Sequence, residues 1–143
     1  MPELVAFSRE ALRVLNETIE VRHPLLPIDR VVNAELYIPF EDGGGQRNIV
    51  ISEDGQVDRS PCGTGTCAKL AALYTKGKIG VKEPFVNESF TGTRFRGAVL
   101  GETKVGDRVA VIPEITGSAY ICGVSTHLID DRDPFAYGFA IER

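Results

Sequence analysis

Cysteine and histidine are scarce in this 143-residue chain: three cysteines, at 62, 67 and 122, and two histidines. An odd cysteine count argues against a secreted disulfide framework, and no Cys-x-x-Cys pair is present to start a zinc set. No metal is expected, and the thiols are expected to be reduced. Long apolar runs are lacking too. No stretch reaches the roughly 20 residues that span a bilayer, and the N-terminus lacks the charged-then-apolar layout of a signal peptide. A cytoplasmic protein with no membrane partner is the expectation. Basic runs are absent as well: 16 Lys and Arg stand against 20 Asp and Glu, a formal charge of −4, with no aromatic-interleaved basic stripe. That balance argues against nucleic acid as the main partner. No internal repeat or low-complexity segment is present.

What is there suits one domain spanning residues 1–143, since 43% hydrophobic content is ample for a core of its own. Leu4, Phe7, Ala11, Leu12, Leu15 and Ile19 recur at three- and four-residue steps, predicting a helix over 4–21 whose apolar face packs on a sheet. His23-Pro24 ends it. Val31–Phe40 and Arg47–Ser52 are rich in β-branched or aromatic residues and read as strands. Between them Gly43-Gly44-Gly45 reads as a turn, because no Lys-Ser/Thr pair follows to make it a phosphate cradle. A second helix is predicted after Cys67, with apolar residues at 67, 70, 71 and 74 and a stop at Gly77. Strands are then expected near 84–91, 93–100, 107–113 and 118–128, with turns at Gly92, Gly101, Gly106 and Gly117. The order implies an α+β fold in which a curved mixed or antiparallel sheet wraps a central helix, with residues 131–143 as an extended tail. Asp130, Asp131 and Asp133 lack the glycine and distal glutamate of a calcium loop.

The chemistry concentrates in Asp58-Arg59-Ser60-Pro61-Cys62-Gly63-Thr64-Gly65-Thr66-Cys67, which places a thiol at a turn opening the central helix. Helix N-termini offer unpaired N–H groups and the positive end of the dipole, and both favour an anion. A sulfur there suits a base. The amides of Gly63, Thr64 and Gly65 suit a carboxylate, because glycines let a ligand approach the backbone. Free cysteines are most often buried small hydrophobes. Cys67 and Cys122 fit that description, as residues of a helix face and of an alternating strand. The types around Cys62 instead suit an exposed, strained turn. Asp58 is open to two readings, as a ligand-binding carboxylate or as a turn and capping residue.

This motif resembles that of the proline racemase family, which includes proline racemases, 4-hydroxyproline epimerases and 3-hydroxyproline dehydratases. The likeness continues through Glu88-Ser89-Phe90-Thr91-Gly92-Thr93, Phe95-Arg96-Gly97, Ile112-Pro113, Ile115-Thr116-Gly117, Asp133-Pro134 and Gly138-Phe139, in order and spacing. Members of the family have two similar lobes of the diaminopimelate epimerase type, with a catalytic cysteine in each and the active site between. The resemblance is to the C-terminal lobe alone. It implies a cofactor-independent isomerase of proline or 4-hydroxyproline that removes the α-proton with one thiol and returns one with the other. Cys62 is then one of the pair, and a missing N-terminal lobe, the expected partner, carries the second. Gly63 and Thr64 would hold the substrate carboxylate and Asp58 its ring nitrogen. Cysteine rather than threonine at 62 disfavours the dehydratase branch. Ser52, where some relatives carry a large aromatic, would leave room for a ring hydroxyl.

The resemblance also implies that this lobe alone is inactive, with an open cleft face that favours self-association into a homodimer. A non-catalytic carboxylate-binding module is the alternative function. Redox chemistry between Cys62 and Cys67 fits poorly, because a spacing of five would place the two thiols about one and a half turns apart on a helix.

Overall fold

The computed structural model describes residues 1–140. Helix α1, Pro2–Thr18, comes first and is followed by strands β1, Asn33–Pro39, β2, Gly45–Ser52, and the two-residue β3, Val57–Asp58. Helix α2, Gly63–Thr75, leads into β4, Phe85–Ser89, β5, Arg94–Val105, and β6, Arg108–Thr116. The class is α+β, with two helices against a six-stranded mixed sheet of order β1-β2-β4-β5-β6 and β3 on the edge of β2. All pairings are antiparallel except β2 with β4, which run parallel. That parallel pair forces the chain to leave the sheet between β2 and β4, and α2 lies in the crossover.

Helix α2 packs on β5 and β6. Leu70 of α2 sits with Ile79, Phe85 and Val99 in a buried cluster, flanked by Leu73, Tyr74 and Val111. Gly97 permits the close approach: a Cβ there would lie 2.9 Å from Leu70 Cδ1. Lys76 is the C-cap, and Gly77, at φ 64°, turns the chain out of the helix where the sequence expected a stop.

Helix α1 stops three residues short of its expected end. Ile19 is already extended, and the Thr18 hydroxyl donates back to Val14 O at 2.7 Å, a local bond that competes with continuation. The predicted face is also rotated. Leu12 of the predicted stripe is buried and Leu15 half-buried, but Leu4, Phe7, Ala11 and Ile19 are exposed and Ser8 is buried instead, so the contact with β1 and β2 runs along 8, 12 and 15. Asn16 ties the following loop back, donating to Val31 O and accepting from Val31 N, both at 2.8 Å.

Two further expectations are corrected. Gly101 makes no turn: β5 runs through it with a bulge between Val99 and Gly101, and the reversal comes at Gly106, φ 59°, between β5 and β6. No strand forms over 118–128. Tyr120, Ile121, Val124 and Leu128 are almost fully exposed, and Cys122, expected in the core, is exposed too. An alternating apolar pattern becomes a strand only where another edge takes up its backbone groups, and none does so here among the described residues. Residues 131–140 carry successive turns, with Ala136 N donating to Asp133 O and Gly138 N to Phe135 O. The rest of the predicted tail, 141–143, lies outside the described residues. No helix among the described residues is long and apolar enough to cross a membrane.

On one face of the sheet Glu88 is almost wholly buried and bracketed by two arginines. Its Oε1 accepts from Arg47 Nε at 2.7 Å and its Oε2 from Arg94 Nε at 2.5 Å. Register explains the meeting, since Arg47 and Arg94 are the partners of Glu88 on its two neighbouring strands. The Arg47 hydrogen bond, and then that of Arg94, hold the carboxyl below its ordinary 4.5. A depressed folded value means that this pairing stabilises fully above about 4.5 and is lost as pH falls through the lower, folded value. Urea midpoints of the native chain and of Glu88→Gln should therefore differ most at neutral pH and converge on acidification below that range. A constant difference would show that the charge is irrelevant.

Candidate functional site

The turn before α2 is built from hydrogen bonds local in sequence and clamped by bonds that are not. Asp58 Oδ1 accepts from Ser60 N at 2.8 Å, and Ser60 Oγ accepts from Cys62 N at 3.0 Å. Pro61 is fully buried beside them. Cys62 follows as the N-cap of α2 with φ 65° and ψ 113°. A non-glycine residue with positive φ costs on the order of 1–3 kcal/mol, which the surroundings must offset. Cys62 O accepts from Thr66 N at 2.9 Å and from Thr66 Oγ1 at 2.7 Å, anchoring the helix start.

The sulfur takes the place of a capping oxygen. Gly65 N donates to Cys62 Sγ at 3.3 Å, and Thr64 Oγ1 lies 3.5 Å from it. Glycine at 65 suits this contact, since a Cβ would crowd it at 3.2 Å from Sγ and 3.3 Å from the cysteine Cβ. Gly65→Ala should therefore push the thiol off its donor while leaving the rest of α2 intact. The expected reading is altered Cys62 alkylation by iodoacetamide in peptide mapping, with Cys122 unchanged as internal control. Equal rates at Cys62 in both proteins would show that the approach is unimportant.

Exposure of Cys62 differs from expectation. The residue is buried, at 8% exposure, rather than standing in the open. It is not sealed in hydrocarbon, because it forms part of the wall of an open cleft with Asp58, Ser52, Asn33, Val50, Gln56, Val57 and Arg59. Three of the five residues anticipated from sequence thus share one cleft. Ser52 Oγ bonds within its own turn, to Asp54 Oδ1 and Gln56 O, while Asp58 has one oxygen engaged by Ser60. Gly63 and Thr64 lie beside this wall on the first turn of α2, both exposed, and a Cβ at Gly63 would meet nothing within 4 Å. Their amides precede the first intrahelical bond and have no partner among the described residues.

Sequence reasoning missed the residues beneath the turn. Asn48 Nδ2 and Asn87 Nδ2 both donate to Pro61 O, at 2.9 and 3.2 Å, and Asn87 Nδ2 lies 2.9 Å from Thr66 Oγ1. Glu35 Oε1 accepts from Asn48 Nδ2 at 2.6 Å and from Gln46 Nε2 at 2.9 Å. Polar residues inside β2 and β4, where apolar ones would pack more cheaply, were the available signal. Among the described residues no group of three or more His, Cys, Asp or Glu is placed to hold a metal.

The model of the proline racemase family matches residues 1–140. The chain belongs to that family. It is 53% identical to the proline racemase of Acetoanaerobium sticklandii over 130 residues, covering 90% of this chain and 39% of that protein. It is 43% identical to the trans-3-hydroxy-L-proline dehydratase of Burkholderia cenocepacia over 141 residues, 97% of this chain and 42% of the relative. Among solved structures, the hydroxyproline epimerase of Agrobacterium vitis with bound trans-4-hydroxy-L-proline superposes with a TM-score of 0.79 at 35% identity, covering 97% of this chain and 40% of that one. The chain therefore spans about two-fifths of the length of these members of the proline racemase family.

Proposed function

We propose that the chain is the C-terminal lobe of a cofactor-independent racemase or epimerase of proline or 4-hydroxyproline, one half of a two-lobed diaminopimelate epimerase-like fold. The observation that carries this reading is Cys62 at the N-cap of α2, its sulfur facing an amide donor and its residue walling a cleft with Asp58 and Ser52. The Cys62 thiolate takes the α-proton from one face of the substrate, and a thiol of the N-terminal lobe delivers a proton to the other face. No net redox change occurs, and the two sulfurs exchange protonation states. The free amides of Gly63 and Thr64 hold the carboxylate and stabilise the charge that grows on it as the α-carbon becomes carbanionic. Asp58, with one oxygen committed to Ser60, offers the other to the ring nitrogen and keeps it cationic, which makes the α-proton easier to remove.

Relatives with both isomerase and dehydratase activities match at similar coverage, so the choice between them rests on position 62. Cysteine there supports isomerisation. Ser52, small and placed in the cleft wall, favours a substrate with a ring hydroxyl. The test is α-deuterium incorporation from heavy water into proline and 4-hydroxyproline, with the chain alone and with an N-terminal lobe supplied in trans. Exchange in the mixture only is expected. Absence of exchange in every combination, together with calorimetric binding of proline, hydroxyproline or planar pyrrole-2-carboxylate, would instead favour the carboxylate-binding module.

A further inference from the structure

Three carbonyls around the Cys62 turn, those of Arg59, Pro61 and Cys62, receive side-chain donors. Arg59 O accepts from Ser89 Oγ and from Thr91 Oγ1, each at 2.8 Å. Pro61 O accepts from the amides of Asn48 and Asn87, and Cys62 O from Thr66. Residues 87, 89 and 91 alternate, so they leave β4 and the turn after it on one side, away from Glu88 and its arginines. Asn48 lies on the adjacent parallel strand with Ser89 as its register partner. Asn48, Asn87 and Ser89 are all at most 3% exposed.

We propose that Asn87, Ser89 and Thr91 act with Asn48 as a comb of donors that grips the Arg59 and Pro61 carbonyls and so positions Cys62. The inference rests on the reading of Cys62 as a base, and makes these four positioning residues for it. Two facts separate this role from general core stability. The Oδ1 atoms of Asn48 and Asn87 are buried without a partner, so each amide fixes the turn while leaving its own acceptor unsatisfied. A core selected for stability alone would place apolar residues of similar size there. Cys62, moreover, holds a positive φ that its own type does not favour, and the carbonyl of the peptide bond leading into it is gripped by two side-chain amides from neighbouring strands. Glu35 anchors the comb from β1 by holding the Asn48 amide at its other hydrogen.

Hydrogen exchange of the Gly65 amide, the donor to Cys62 Sγ, reads the position of the turn without any turnover. It is measured by NMR on the full chain against the core amides of Leu70 and Val99. Asn87→Ala should raise Gly65 exchange by about tenfold relative to the core amides, the scale of one hydrogen bond's net contribution. Ser89→Ala, a smaller change that keeps Thr91 on Arg59 O and protects against loss of folding, should raise it by about threefold on the same footing. If Gly65 moves by the same factor as Val99 in both variants, or not at all, the residues are merely structural and the proposal fails. Failure here leaves the assignment of Cys62 untouched, while failure of deuterium exchange with the Gly65 response intact removes the base and keeps the comb.

Discussion

Cys62→Ser, in the chain reconstituted with an N-terminal lobe, is expected to lower α-deuterium incorporation by about 10²–10⁴-fold, the range for loss of a positioned acid–base group. The fold should not suffer. Serine is among the preferred N-cap residues, so its oxygen can accept from Gly65 N as the sulfur does, and the unfolding midpoint should hold or rise slightly. A serine hydroxyl is far too weak an acid to wait as its anion near neutrality, and that is the property the reaction needs. The pair of readings is therefore diagnostic: chemistry lost, stability kept. Retained exchange in the serine variant would remove Cys62 from the mechanism, and loss of stability would mean that the sulfur is a packing element.

The largest effect on folding is expected at Gly45, where the parallel β2–β4 pair begins. A Cβ at this position would lie 2.1 Å from Val86 O and 3.0 Å from the Phe40 ring. The first neighbour is backbone on the partner strand and cannot rotate away, so Gly45→Ala must separate the two strands at the point where Val86 N also bonds to Gly44 O. The loss should reach about 3 kcal/mol, the upper end for overpacking and a large share of a small domain's total stability. Gly44→Ala is the control. Its Cβ would meet the Asp42 carboxylate, nearest at Oδ1 3.5 Å away, in ordinary contact, and the change should stay within about 0.5 kcal/mol. Urea unfolding of the two variants decides it, and equal midpoints would contradict the geometry. The same strand pair sets Asn48 beside Ser89, so partial opening in Gly45→Ala should also loosen the Cys62 turn.

Much of this was legible in the residues. The helix opening at Cys62, the stop at Gly77 and strands β1, β2, β4, β5 and β6 follow from signals contiguous in sequence, while the grouping of Asp58 and Ser52 with Cys62 was implied by the family resemblance. Periodicity, glycine and proline punctuation and a ten-residue motif each act over one or two turns of chain, so their meaning does not depend on what packs above them. The α+β order and the family followed for the same reason.

Tertiary structure alone decided the rest. It turned Ser8 inward beside Leu12 and left Leu4, Phe7 and Ile19 of the apolar stripe outside, because packing position outweighs hydrophobicity residue by residue. It left 118–128 unpaired despite the alternating pattern, since a strand needs a neighbour that no local sequence supplies. It buried Cys62 and set Asn48, Asn87 and Glu35 under it, joining β1 to β2 by an antiparallel pairing and β2 to β4 by a parallel one whose partner strand lies far along the chain. The motif by itself singled out Cys62 as the sulfur proposed for chemistry. Only the assembled sheet determined how that sulfur is held, because the groups that hold it come from strands the motif does not contain.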